Sequence, residues 1–295
     1  MLATTNSRHH WVGQSCGFAQ IWAATQRRPA DERRAEQLCV LGSAGASLLV
    51  ALNLLVATQF SFAQTTSPET RAEAAYQKLR AAAEAEPSNA ETAWKFGRAC
   101  FDRADVATDK RQRAQFANEG MAACQKAIAG NSSLAAAHYY LALNLGQLAQ
   151  TKSLGALKLV GQMEGEFKSS LGLDEKFDYA GANRGLGLLY RDAPGWPASV
   201  GSRAKAKQNL QRAVELAPDY PENRLNLAES LLRWNEKAAA QNELKALDEL
   251  LPAARKKLTG DDWESSWSDW DARLKKLRAQ LGDSSTRNEA PRNKR

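Results

Sequence analysis

The chain has 295 residues, 43% of them hydrophobic, and a net charge of +7, a length that allows one large core or two small ones. Alanine, leucine, lysine, glutamate and glutamine dominate and β-branched residues are sparse, which excludes a β-rich fold and predicts an all-α protein. The positive charge does not by itself point to nucleic acid. Residues 1–63 carry five Arg against three acids and residues 283–295 carry four basic residues against two, so the body holds +7 − 2 − 2 = +3, a near-balanced surface.

Residues 1–63 read as a leader plus a secretory signal peptide. Arg33 and Arg34 supply a positive region, Ala46 to Thr58 an apolar core, and Ser61-Phe62-Ala63 a small-x-small cleavage site. Cleavage is expected after Ala63. An uncleaved anchor is the rival reading, but it wants about 20 apolar residues. Residues 1–32 are too long for a usual positive region, so the start is expected downstream, near Leu38 or just before Arg33. Gly13-Gln14-Ser15-Cys16-Gly17 fits the G-x-S-x-G pattern of serine hydrolases, yet the strand-turn-helix elbow, acid and His that this chemistry needs are missing around it. The match is chance.

Residues 64–258 carry a repeat. Pro218 and Pro252 stand 34 apart, and the same offset relates Ala206 to Ala240, Leu210 to Leu244 and Ala213 to Leu247. Small residues such as Ala228 and Ala240 let two helices cross closely, large ones such as Leu244 fill the gap to the next unit, and the proline ends the second helix. Carried backwards, the register places Ala75, Leu79, Ala82 and Pro87 in second-helix positions, then Gly97, Gly120, Cys124, Ala142, Met163 and Gly187. First helices are predicted at about 90–104, 134–150, 178–191 and 221–234. This period resembles the tetratricopeptide-repeat (TPR) superfamily, which implies a TPR-like helical-hairpin solenoid. From small residue to small residue the last unit needs 12 positions. The earlier ones need 23 (Gly97 to Gly120), 21 (Ala142 to Met163) and 19 (Gly187 to Ala206), which predicts inserted loops on one edge. One of these, "RDAPGWPASVGSRA", holds two prolines around Gly195-Trp196 and reads as a rigid loop presenting an indole or folding it back on the solenoid.

Cys100 and Cys124 fall on the two helices of one unit. In an oxidising compartment they are a disulfide candidate closing a loop of about 25 residues, worth roughly 3 kcal/mol; free buried thiols are the alternative. His138 is the only His after Ala63, too few for a closed zinc site, and no catalytic constellation stands out. Neither a metal nor a cofactor is expected. Residues 259–282 form a Trp-rich capping helix: Trp263, Trp267, Trp270, Leu274 and Leu277 share one face, opened by a capping-box-like Asp261 and Glu264. Residues 283–295 read as a disordered tail.

With no chemistry apparent, the reading is a non-enzymatic scaffold or adaptor, exported to the periplasm or envelope, that binds another protein. The concave wall selects Trp94, Arg98, Phe101, Tyr139, Leu143, Arg184, Arg191 and Leu225, with Trp196 on the loop, a mixture suited to protein contacts. "HYYLALNLGQLAQ", "GLLYRDAPGWP" and "GSRAKAKQNLQRAVELAPDYPENRLNLAESLL" are similar, over about residues 134–250, to the periplasmic TPR component associated with tripartite ATP-independent (TRAP) transporters. They also look like the TPR-like region of regulator-of-microtubule-dynamics proteins. The TRAP resemblance implies a homo-oligomer that docks a periplasmic solute-binding protein and holds a small apolar ligand. Gln64 stands where members of that family carry a lipid-bearing Cys.

Overall fold

A computed structural model of the chain describes residues 67–152 and 155–282; the expected signal peptide, its cleavage site and the C-terminal tail lie outside them. Among the described residues there are ten helices and no strand: α1 (Pro68–Ala85), α2 (Ala90–Val106), α3 (Lys110–Gly130), α4 (Ala135–Gln150), α5 (Ala156–Leu173), α6 (Phe177–Asp192), α7 (Arg203–Leu216), α8 (Pro221–Arg233), α9 (Lys237–Lys257) and α10 (Asp261–Leu281). The fold is an all-α, solenoid-like stack of helical hairpins. α2 pairs with α3, α4 with α5, α6 with α7 and α8 with α9, and each second helix also packs on the next first helix. The first helices α2, α4, α6 and α8 form one layer, and the four predicted first helices match them within one or two residues.

Local chemistry explains the boundaries. Asn89, Asp109 and Ser202 cap α2, α3 and α7 by accepting backbone N–H groups of the first turn. Within a hairpin the helices meet at small residues. A Cβ on Gly97 would lie 2.3 Å from the Cys124 sulfur, and one on Gly187 would lie 2.6 Å from Leu210. Ala228 and Ala240 are both fully buried, as the repeat requires.

Several expectations need correction. The extra residues of the first two units lengthen helices and leave short connections; only 193–202 is an inserted loop, because its two prolines and two glycines cannot extend either helix. α9 continues through Pro252 to Lys257. α10 has Gly260 as its cap with no side-chain cap bond, so Asp261 is its first helical residue and no capping box forms. The Cys100–Cys124 disulfide is not formed: both thiols are free and buried. They pack in different clusters, Cys100 with Tyr76 and Ala99 against α1, Cys124 with the large core that includes α4.

The tryptophan face behaves as its spacing predicts, but its location differs. Trp263, Trp270, Leu274 and Leu277 are buried, and the indole N–H of Trp267 donates to the Leu258 carbonyl at 2.7 Å. α10 packs more on the first helix α8 than on α9, and its N-terminal turn reaches α1, where Arg71 pairs with Glu264 at 3.6 Å. The helix therefore lies across the layer of first helices and does not simply close the end of the stack. Trp270→Ala should cost about 3–5 kcal/mol, read as a lowered urea midpoint; an unchanged midpoint would mean that α10 is not part of the core.

Candidate functional site

The first-helix layer was the expected binding wall, and nearly all of it is covered. Trp94, Phe101, Tyr139, Leu143, Arg184 and Leu225 are buried. Trp94 stacks on Tyr140 with centroids 5.9 Å apart and donates its indole N–H to Glu91 at 2.9 Å. Arg98 lies over Tyr140 and pairs with Asp102 at 3.8 Å. Arg191 grips the neighbouring Asp192 and donates to Ser230 at 3.1 Å. The side chains chosen from sequence do share one layer, but they bind one another and α10.

The centre of this layer is Arg184, 2% exposed. Its guanidinium donates to the Asp178 carboxylate at 3.0 Å, the Tyr179 carbonyl at 3.2 Å and the Asn223 side chain at 3.1 Å, with Glu222 3.9 Å away. Tyr139 donates its hydroxyl to the same Asp178 carboxylate at 2.8 Å. To present these acceptors the chain enters a left-handed turn: Asp178, Tyr179 and Ala180 have φ of 51°, 56° and 62°. For non-glycine residues this costs on the order of 1–2 kcal/mol each. Offsetting it are the Arg184 bonds, a bond from Asn223 to the Tyr179 carbonyl at 3.0 Å, and stacking of Tyr179 on Tyr220 at 4.3 Å. Nothing in "KFDYAGANR" marks such a turn.

Toward α2 and α4 the layer holds a cluster of acids that the sequence reading missed. Asp105 accepts from Gln147 at 3.0 Å. Burial pushes the Asp105 carboxyl up to about 7, with Gln147 pulling it down and Asp102 pushing it further up. Burial likewise lifts Asp102 to about 6 against the pull of Arg98. Glu222 and Asp269 are also raised by burial, both opposed by arginines. On the α10 side Arg273 reaches back to Glu229 and Asn226 of α8 at 2.7 and 2.6 Å. Asn144 Oδ1, Gln147 Oε1, Glu222 Oε1 and Asn226 Nδ2 are buried without a hydrogen-bond partner in the protein. Among the described residues no group of three or more His, Cys, Asp or Glu side chains could hold a metal ion.

Trp196 is the exception to burial. It is 89% exposed at the tip of a braced loop: Gly201 N–H donates to the Pro194 carbonyl at 2.8 Å and Ser202 N–H to the Tyr190 carbonyl at 2.9 Å. A Cβ on Gly201 would sit 2.1 Å from the Ala193 carbonyl oxygen, so only glycine lets the loop close on itself. The loop thus holds an indole out into solvent at little conformational cost.

Comparison with known proteins adds one relation. Residues 60–159 match the family model described as regulator of microtubule dynamics protein 1-3. That is about a third of the chain, from before α1 into α5, and it leaves out the 193–202 loop. It overlaps the stretch on which the sequence resemblance was drawn only over residues 134–159. No curated protein matches the chain.

The raised acids set a pH dependence. A carboxyl with a folded pKa above its ordinary value binds more protons in the folded state, so its stabilisation is full below the ordinary value near 4 and is lost as pH rises toward about 7. Stability should therefore fall between those limits, and Asp105→Asn should flatten the fall and raise the unfolding temperature at pH 8. Thermal unfolding across pH checks this; an unchanged slope in the variant would remove Asp105 from the account.

Proposed function

We propose that the chain is a non-enzymatic helical-repeat interaction module that engages its partner through the edge carrying the 193–202 loop, with its groove occupied by α10. The observation that carries this reading is the contrast in exposure. Trp196 stands in solvent while the groove aromatics and Arg184 are buried and Arg98 and Arg191 are partly covered. Exposed aromatic anchors on rigid supports are favourable at interfaces because little freedom is lost on binding. Export to the periplasm or envelope rests on the leader pattern from Arg33 to Ala63, and repeated helical hairpins are in keeping with the TPR resemblance.

A TRAP-accessory role is the second reading, supported by the similarity over residues 134–250. Its apolar ligand finds little support beside α2 and α4, where Asp102, Asp105 and Gln147 cluster. Unpartnered buried polar atoms suit water or a polar ligand better than hydrocarbon.

A photo-crosslinking residue placed at Trp196, and in a separate protein at Arg98, distinguishes edge from groove in intact envelopes. The Trp196 position should form adducts with a molecule other than the chain itself, and the Arg98 position only internal ones. The reverse result would overturn the assignment.

A further inference from the structure

The structure assigns the edge around Trp196 to docking on an anionic membrane surface. This inference rests on the reading that this edge is the docking surface, and it names the partner.

The charge of the body is segregated in space although it nearly balances in number. All connections from a first to a second helix lie along one edge. Arg113 bonds the Gln150 side chain across the first two connections, and Arg203 bonds Glu236 across the last two. At the first connection the opening turn of α3 exposes Lys110 and Arg111, at the second Lys152 and the first-turn Lys158 of α5 are exposed, and at the fourth the first residue of α9, Lys237, is exposed. None of these five makes an ion pair or side-chain hydrogen bond among the described residues. The third adds Arg203, Lys205 and Lys207. The acids are fewer and engaged: Asp105 accepts from Gln147, Asp109 caps α3, Asp192 pairs with Arg191 and Arg233, and Glu236 is shared between Arg203 and Lys207. The opposite edge holds Glu86, Asp174, Glu175 and Asp219 in its connections, with Lys176 the one base among them.

This distribution works against helix stability. The N-terminus of a helix is the positive end of its dipole and favours acids. α3, α5, α7 and α9 have no acid in the first turn, and each carries at least one Lys or Arg there. The first helices α2, α6 and α8 follow the usual rule with Glu91, Asp178 and Glu222. Positive charge kept where folding disfavours it, along one edge only, indicates an external anion.

The other groups on this edge say which anion. Trp196 projects between Gly195 and Pro197, and Leu157 is exposed beside the second connection. An indole prefers the boundary between water and hydrocarbon. The unpaired cations are mostly lysines, point charges that suit a diffuse field better than a bidentate site. Lysines spread along an edge, around one protruding indole, fit a sheet of anionic headgroups, to which each basic residue near the surface adds attraction.

The test is flotation of the full chain with phosphatidylcholine vesicles, with and without phosphatidylglycerol. The comparison is with Trp196→Ala and with a combined Lys110→Glu, Lys152→Glu, Lys158→Glu and Lys237→Glu variant. Reversal should weaken binding to anionic vesicles by about tenfold or more, added salt should do the same to the parent, and Trp196→Ala should weaken it several-fold. Any binding through the leader, which carries its own positive region, would be unchanged in the variants. Folding is not the obstacle, because Glu at three of these first turns favours the helix dipole and the reversed protein should melt no lower than the parent. Equal anionic-vesicle binding by parent and reversed protein would overturn the inference. So would stronger competition from polyglutamate or duplex DNA than from vesicles, which would move the edge to an acidic protein or a nucleic acid. An edge that photo-crosslinks a protein but ignores both vesicle types would overturn the lipid assignment and leave the docking edge standing.

Discussion

A guanidinium withdrawn from water must find its acceptors inside the protein, and Arg184 organises the middle of this fold around that requirement. Its bonds gather Asp178 and Tyr179 from its own helix and Asn223 from α8, while Tyr139 of α4 shares the Asp178 carboxylate. Three of the four first helices are thereby tied to one cation. The left-handed turn at Asp178–Ala180 exists because those carbonyls must face inward. It also delivers the Tyr179 ring onto Tyr220, and that pair forms the aromatic seat on which Trp263 and Trp270 rest at centroid distances of 5.5–6.3 Å. Remove the cation and a buried carboxylate pair, a strained turn and the seat of α10 would all lose their reason.

The seat explains why the groove is shut. A solenoid of helical hairpins normally leaves its first-helix face free, and tryptophans at intervals of four and three would be a liability if exposed. Here they are absorbed by Tyr179 of α6, Tyr220 just before α8, and leucines of α8 and α9. The polar half of the groove cannot be sealed in the same way. Arg273 from α10 and Arg98 from α2 stand among Asp102, Asp105, Asp269 and Glu229. The cover is hydrophobic at one end and electrostatic at the other.

Much of the architecture was legible in the sequence because it is periodic. A 34-residue offset between Pro218 and Pro252 and small residues at Gly97, Gly187 and Ala228 placed the first helices closely, since hairpin packing admits few residues at the crossing. The features that escaped are those that depend on partners distant in the chain. An arginine on a first helix reads as part of an open wall until Asn223, 39 residues on, is known to face it. A tryptophan stripe tells which face of a helix is buried but not which of two apolar surfaces it meets. Pro252 looked like a stop, and α9 runs past it. The basic edge was hidden for a related reason: Lys110, Lys152, Arg203 and Lys237 are far apart in sequence, and a total of +3 conceals charges sorted onto opposite sides. The rigid loop around Gly195-Trp196 was legible from its two prolines, but the direction of its indole was not: the same residues suit a ring folded back on the helices, and only the folded chain places Trp196 in solvent.

α10 also changes the kind of object this repeat array is. Stacked hairpins that touch only their neighbours behave as a one-dimensional chain, able to fray from an end or stretch like a spring. Contacts from α10 to Tyr179, to Tyr220 and Asn226, and to Arg71 join units far apart in the sequence. Such long-range closure raises the sequence separation of the contacts, which slows folding and couples the hairpins into a single melting unit. The elasticity open solenoids owe to independent repeats is thereby exchanged for rigidity, and a rigid body holds its charged edge in one plane.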